Sequence, residues 1–378
     1  MKLLFVTPAY RPSFHEGGKG GGEISNQILL EDFSRRGHTV VVVSMGSVVR
    51  KRIYRDGKLI VIEPFANTTA KELRHFISIL FFQRSISKLI NSIRPDVVLA
   101  TTSTIKVAAR SSKRFGLPVG AVVRAMENVP GYGWKWSIFS PRSLMKYLLH
   151  KVTIGWPGGR ELELVDFFVA NSEFLQRKYQ DAFPEKKSVV VYPALAIKPT
   201  TAPFPSNIRR VMMVGTTEAK GFDIYAELAC QMPELEFHAI GDRSLGRGET
   251  KMHGRVEVHG WYSDPIPFID GVDLVIVPSR WEEPFGRISL EALYRHKFVL
   301  VSGQGGLPET VSGIENLIVR SSLAEDWNNR ISDVIVEIKN YTSETSNALE
   351  LAKRFGKNRQ AVNFEEFLKS NFVFLNKS

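Results

Sequence analysis

Two glutamates, Glu283 and Glu291, stand in the stretch Arg280-Trp281-Glu282-Glu283-Pro284-Phe285-Gly286-Arg287-Ile288-Ser289-Leu290-Glu291, the densest run of chemistry-bearing residues in the sequence. Ahead of it, Asp273 to Val277 is a β-branched run that reads as a buried parallel strand leaving its sheet at Pro278-Ser279. Behind it, apolar Ile288, Leu290, Leu293 and Tyr294 fall at helical spacing and predict a helix to about His296. Pro284 suits a helix start, Gly286 admits a close backbone approach, and the amides of Phe285 to Ser289 would form a seat for an anion. A diphosphate fits such a seat. Glu283 would accept hydrogen bonds from hydroxyls beside that anion, and Glu291 could take a vicinal diol such as a ribose. The plainer alternative is that Glu291 only complements the helix dipole, worth ~0.3–1 kcal/mol, and that Glu282 and Glu283 are solvated loop charges.

Two further stretches could meet an anion. Val214-Gly215-Thr216-Thr217-Glu218-Ala219-Lys220-Gly221 leaves a strand and enters a helix, and Lys220 can neutralise phosphate there as a point charge. The run Gly17-Gly18-Lys19-Gly20-Gly21-Gly22-Glu23 opens a helix carrying Ile24, Ile28, Leu29 and Phe33, a turn able to bring backbone close to a phosphate or a sugar. A dinucleotide fingerprint fails because Glu23 stands where the third glycine is needed. A phosphate loop, an Asp-x-Asp pair and a His-Glu-x-x-His helix are all missing, so no cofactor and no catalytic metal are expected.

The string from Glu283 to Glu291 resembles the two-glutamate motif of the retaining glycosyltransferases of family 4, in its common Glu-Pro-Phe-Gly form. Lys220-Gly221, Ile240-Gly241-Asp242, His259-Gly260-Trp261 and Gly305-Gly306-Leu307-Pro308-Glu309 keep the family's order and spacing over residues 209 to 320, and the likeness is looser before residue 200. The resemblance implies the GT-B architecture and a nucleotide-sugar donor. By that likeness Gly21, Gly22, Gly215, Lys220, Gly241, Trp261, Glu283, Pro284, Phe285, Gly286, Arg287, Ile288 and Glu291 would bind the donor. Glu283 would hold the donor sugar's hydroxyls, and Lys220 its diphosphate. Two positions depart from the pattern. Thr216 stands where the family carries an arginine, which leaves Arg280, Arg287 or Arg243 to supply the second cation. Where many relatives have a histidine in the first domain, this chain reads Val123-Arg124-Ala125-Met126-Glu127-Asn128, and Arg124 and Glu127 are expected to approach the acceptor or the reacting sugar.

The elements that must position these residues read as two α/β series. Strands are predicted at Leu3–Val6, Thr39–Val43, Asp96–Ala100, Val119–Val123, Asp166–Ala170 and Ser188–Tyr192, then at Arg210–Val214, Glu234–Ile240, Val256–Val258, Asp273–Val277, Phe298–Val301 and Leu317–Val319. Pro193, Pro199, Pro203 and Pro205 mark a break between the series. The expected organisation is an acceptor-side Rossmann-like domain over 1–195, a linker over 196–207 and a donor-binding domain over 208–354. Two open parallel sheets would then face each other across a cleft, and the phenylalanine-rich tail over 355–378 would pack back on the first domain, as in relatives.

At 378 residues, 43% of them hydrophobic, the chain is long enough for two cores. Cys230 is the only cysteine, so no internal disulfide argues for secretion, and no apolar run reaches the ~18 residues of a membrane span, so a cytoplasmic protein is expected. A net charge of +11 implies an acidic partner, and the absence of any nucleic-acid motif turns that reading away from DNA or RNA. The basic amphipathic stretches Lys71–Asn91 and Trp134–Val152 read either as core-facing helices with a solvated basic face or as contacts with an anionic membrane at its inner face. The reaction expected is transfer of a hexose, with UDP-glucose as first guess for its commonness, to a hydroxyl of a lipid-linked or oligosaccharide acceptor in polysaccharide or glycolipid biosynthesis. The enzyme is expected to act as a monomer. A nucleotide-sugar 2-epimerase on the same architecture, or a non-catalytic sugar- or membrane-binding relative, is the alternative.

Overall fold

The computed structural model describes residues 1–10, 21–44, 52–63, 72–126, 129, 161–195, 197, 200–262 and 264–372. The glycines of 17–20, Glu127 and the 134–152 stretch lie outside them. The chain divides into two compact units, with the change from the first to the second between Ala194 and Leu195 and the return to the first between Gly356 and Lys357.

The first unit holds an eight-stranded sheet of β1 (Lys2–Thr7), β2 (Thr39–Ser44), β3 (Arg52–Asp56), β4 (Leu59–Glu63), β5 (Val97–Thr101), β6 (Val119–Val123), β7 (Phe167–Ala170) and β8 (Lys187–Val190), in the spatial order β3-β4-β2-β1-β5-β6-β7-β8. Its central strands are apolar at nearly every position because both faces are covered. Leu4 and Val6 point to one side, against Phe82, Ile86 and Ile90 of the helix Glu72–Ile93. Leu3 and Phe5 point to the other, against Leu29 and Phe33 of the helix Gly21–Arg35. Over its described side chains the helix Glu72–Ile93 thus faces the core, with Arg84 and Lys88 exposed.

The second unit holds seven strands: β9 (Arg210–Val214), β10 (Glu236–Asp242), β11 (Thr250–His253), β12 (Val256–Gly260), β13 (Leu274–Val277), β14 (Phe298–Ser302) and β15 (Ile318–Val319), in the order β11-β12-β10-β9-β13-β14-β15. Both sheets are parallel, as expected, except for one strand at an edge of each. β3 runs antiparallel to β4, and β11 antiparallel to β12. Each is a tight hairpin whose turn carries a glycine in the left-handed region, Gly57 at φ 54° and Gly254 at φ 58°.

The C-terminal helix Lys357–Asn371 belongs to the first unit. Phe364 and Leu368 are buried beside Phe33, with the Phe33 and Phe364 rings 5.6 Å apart edge to face. Glu365 fastens that helix: Arg36 donates to its carboxylate at 3.0 and 2.8 Å, and His38 and Lys369 close around it. Burial opposes the charge, but Lys369, Arg36 and His38 outweigh it and hold the carboxyl down at about 2. A depressed folded value means that this contribution is present above the ordinary range near 4.5 and is lost as pH falls through about 2. Glu365→Gln is therefore expected to lower stability at pH 7 by about 1–2 kcal/mol, allowing for the solvated Arg36 and Lys369. Urea unfolding of both proteins should show the gap closing as pH falls from about 4.5; a gap independent of pH would mean that Glu365 acts by packing alone.

Candidate donor-binding site

Parallel neighbours β9 and β13 deliver their following loops side by side. The loop after β9 forms the turn Glu218–Lys220, and the loop after β13 carries Ser279 to Gly286. Gly221, at φ 79°, is required where they meet: a Cβ there would lie 2.0 Å from the Pro278 carbonyl oxygen. The Ala219 carbonyl accepts from the amides of Arg280 at 3.0 Å and Trp281 at 3.2 Å, which ties the two loops together. Held in this way, the Lys220 ammonium ion-pairs with Glu283 Oε1 and lies 5.3 Å above the Trp281 ring. The Glu283 carboxylate is 9% exposed and also accepts from Ser279 Oγ at 2.9 Å. A buried carboxylate with two donors and a half-exposed lysine make a charge pair with one open side.

The loop after β14 holds the backbone of Glu283 from behind. Gly306 N donates to Glu283 O at 2.7 Å, and Gly305, at φ 63°, leaves no room for a side chain, since a Cβ would sit 2.2 Å from Glu283 O. Gly305→Ala is expected to push the Glu283 loop out of place, at a cost of about 1–3 kcal/mol for overpacking with further backbone strain. Donor turnover should fall more steeply than the melting temperature; unchanged turnover would show that this loop does not position Glu283.

Gly286 caps the helix Arg287–Tyr294 with φ 95°, and Leu307 closes on it so that a Cβ would lie 2.3 Å from Leu307 Cδ2. The first turn of that helix presents amides with no intrahelical partner. The seat is narrower than the sequence suggests. Pro284 stands before the cap rather than at the helix start, and Phe285 is buried against Phe355, with ring centroids 5.4 Å apart, so the helical amides begin at Arg287. The helix ends at Tyr294 rather than His296, which turns back at φ 53°. Glu291 is buried on its inner face and accepts from Arg287 at 3.0 Å; burial pushes its carboxyl up and Arg287 draws it back.

Residues 208–337 match the family described as glycosyl transferases group 1, and residues 19–197 match Glycosyltransferase Family 4. The chain carries a Glycosyltransferase Family 4 domain followed by a glycosyl transferases group 1 domain. Among curated proteins, an uncharacterized 42.6 kDa protein in the cps region of Klebsiella pneumoniae is 26% identical over 341 residues, covering 84% of this chain and 89% of that protein. The lipopolysaccharide core biosynthesis glycosyltransferase LpsE of Rhizobium meliloti is 31% identical over 98 residues, 23% of this chain and 28% of its own. Among solved structures, sucrose-phosphate synthase of Thermosynechococcus elongatus is similar with a TM-score of 0.72 at 15% identity, covering 98% of this chain and 99% of the other. Anabaena Alr3699/HepE in complex with UDP-glucose is similar with a TM-score of 0.66 at 20% identity, covering 98% and 100%. The fold of this glycosyltransferase is GT-B.

Within the glycosyltransferase's second unit, the structure separates the three arginines that could replace the one missing at Thr216. Arg280 pairs with Asp223 of the helix Phe222–Gln231, and Arg287 with Glu291. Arg243 is exposed and has no carboxylate partner among the described residues. It follows β10 directly, where Gly215 N donates to Ile240 O at 2.8 Å and Gly241, at φ 106°, packs on Gly215. Trp261, just beyond β12, is 39% exposed. Ser279 and Trp281 are partners of the charge pair that sequence reading did not single out; the signal was their closeness to Glu283 in the chain.

In the first unit, Gly21 and Gly22 open the helix Gly21–Arg35, and Arg124, just after β6, lies beside it. Arg124 Nε donates to Asn26 Oδ1 at 2.8 Å, while Asn171 Nδ2 donates to the Arg124 carbonyl at 3.3 Å. Asn26 is a buried amide one turn into the helix, and its spacing from Gly22 is the only sequence signal that could have named it.

Proposed function

We propose that this glycosyltransferase moves a hexose, with retention of anomeric configuration and without a divalent metal, from a nucleotide diphosphate sugar to a hydroxyl of a lipid-linked or oligosaccharide acceptor. The observation that carries the reading is the Lys220–Glu283 pair, held between the loops after β9, β13 and β14 and beside the start of the helix Arg287–Tyr294. A sugar diphosphate brings two groups to such a place. Its phosphates would draw on Lys220 and the helical amides, and its sugar hydroxyls would donate to Glu283, so both partners of the ion pair are ordered in advance. Charge on the departing diphosphate would be met by fixed protein groups, which is why no metal enters the proposal. UDP-glucose is the first candidate donor, in keeping with the solved complex of Alr3699/HepE. The cps-region and lipopolysaccharide-core relatives favour a role in surface polysaccharide or glycolipid assembly. No described helix is long and apolar enough to cross a membrane, so a lipid-linked acceptor would be met peripherally, through basic surface.

Calorimetric titration with UDP, GDP and ADP, each with magnesium and with chelator, tests the reading. Selective, chelator-insensitive binding of one diphosphate is the expected result, and no binding of any of the three would overturn it. We assign the missing cation to Arg243, and expect Arg243→Ala to weaken the bound diphosphate by about 1.5–3 kcal/mol, the worth of a hydrogen bond to a charged group. Unaltered affinity would return the role to another residue.

A further inference from the structure

Apart from the donor seat, the second unit gathers His238, Glu257 and His259 on one face of the neighbouring strands β10 and β12. Glu257 and His259 alternate along β12 and so share a face, and His238 stands opposite Glu257 in the register. The potential donor atoms of the three side chains all lie within 4.8 Å of one another. His238 Nδ1 is 3.4 Å from Glu257 Oε2, and His259 Nε2 is 3.7 Å from Glu257 Oε1. The edges of a tetrahedron around zinc, with bonds of ~2.0–2.1 Å, are ~3.3–3.4 Å, close to these two separations, which run to different oxygens of Glu257, while the remaining donor pairs, within 4.8 Å, would draw together on binding.

Three further observations point to a ligand. His259 Nε2 is buried and has no hydrogen-bond partner, although it lies 3.7 Å from Glu257 Oε1. A buried ring nitrogen left in that state is costly unless something takes up its lone pair. His238 turns its other nitrogen, Nε2, toward the Glu236 carboxylate at 3.9 Å, and Arg210 holds that carboxylate at 3.2 Å. At 3.9 Å this is no hydrogen bond, but it puts a carboxylate on the side of the ring where an outer partner orienting a metal-bound imidazole would act. Phe268 packs edge to face on His259 at 5.1 Å and fixes the ring from the opposite side, while Glu257 remains 40% exposed and leaves an access path from solvent.

We propose that His238, Glu257 and His259 form a binding site for a divalent transition metal of the zinc type, which clamps β10 to β12. Two imidazoles and one carboxylate select such an ion over calcium or magnesium, which prefer oxygen. The site takes no part in the transfer reaction. It would stiffen the strands whose ends carry Gly241 and Trp261, and it stands or falls independently of the donor assignment.

The test uses the full chain, freed of metal with a chelator, titrated with zinc chloride by calorimetry and with cobalt chloride by visible absorbance. The expected result is one zinc per chain, a cobalt spectrum of low coordination number and a rise in melting temperature with zinc. His238→Gln and Glu257→Gln should each weaken zinc binding by ~10-fold or more, since even outer-shell changes at metal sites cost that much. His253→Gln, on the exposed edge strand β11, should leave it unchanged. Circular dichroism of the metal-free variants checks that they fold, and Glu257, being the most exposed of the three, is the substitution least expected to disturb the sheet. No zinc binding, or the same affinity in the wild type, His238→Gln and Glu257→Gln, would overturn the proposal and reduce the cluster to a surface ion-pair network.

Discussion

Glu283→Gln is expected to lower donor turnover by ~10²–10³-fold, the loss that follows removal of one preorganised polar group from an active site. Shape is preserved and charge is removed. The amide would still fill the space between Ser279 and Lys220, but it would offer its neutral oxygen to an ammonium and to sugar hydroxyls in place of a carboxylate. Folding should hardly respond. Lys220 is 34% exposed, so water solvates it once its partner is neutral, and the change in stability should stay within about 1 kcal/mol. Nucleotide release in the presence of donor and acceptor measures the first effect, and urea unfolding the second. Near-normal turnover in a folded Glu283→Gln variant would remove Glu283 from the reaction.

Lys220→Ala should show the reverse balance, damaging binding and stability together. The Glu283 carboxylate would be left 9% exposed with Ser279 as its one remaining partner in the pair. Stranding a buried charge costs about 3–5 kcal/mol; with Lys220 itself partly solvated, about 1–3 kcal/mol is expected. UDP affinity should fall by about 1.5–3 kcal/mol as a charged donor to the diphosphate is lost. A double-mutant cycle separates the two contributions. In a Glu283→Gln background the stability loss from Lys220→Ala should nearly vanish, because no charge is stranded, whereas the loss of UDP affinity should persist. A stability loss that is the same in both backgrounds would show that the two side chains do not support one another.

Much of the frame was legible from the chain because a parallel sheet buried on both faces needs continuous apolar strands. The runs Leu3–Val6, Val119–Val123 and Arg210–Val214 say so plainly, and each forms a strand. The two edge hairpins were not legible by that rule. Ile53-Tyr54-Arg55 and Thr250-Lys251-Met252 alternate or carry charge because an edge strand is half solvated, and their signal lay in the turn glycines Gly57 and Gly254. Pro284 was misplaced for a related reason. Proline favours a helix start in general, but a left-handed Gly286 cap moves the start beyond it.

Local spacing along the chain is enough to mark the two α/β series, the strand-to-helix crossing that carries Glu283 and Glu291, and the cation at Lys220. Which of these charges meet is settled by packing between elements distant in the chain. Lys220 and Glu283 are far apart in the chain and pair because β9 and β13 lie side by side, while Arg280 and Arg287, both close to the glutamates in sequence, are taken by Asp223 and Glu291. Strand order is set by how whole helices and sheets bury their apolar faces, and no local pattern around a charged residue records which strand will become its neighbour.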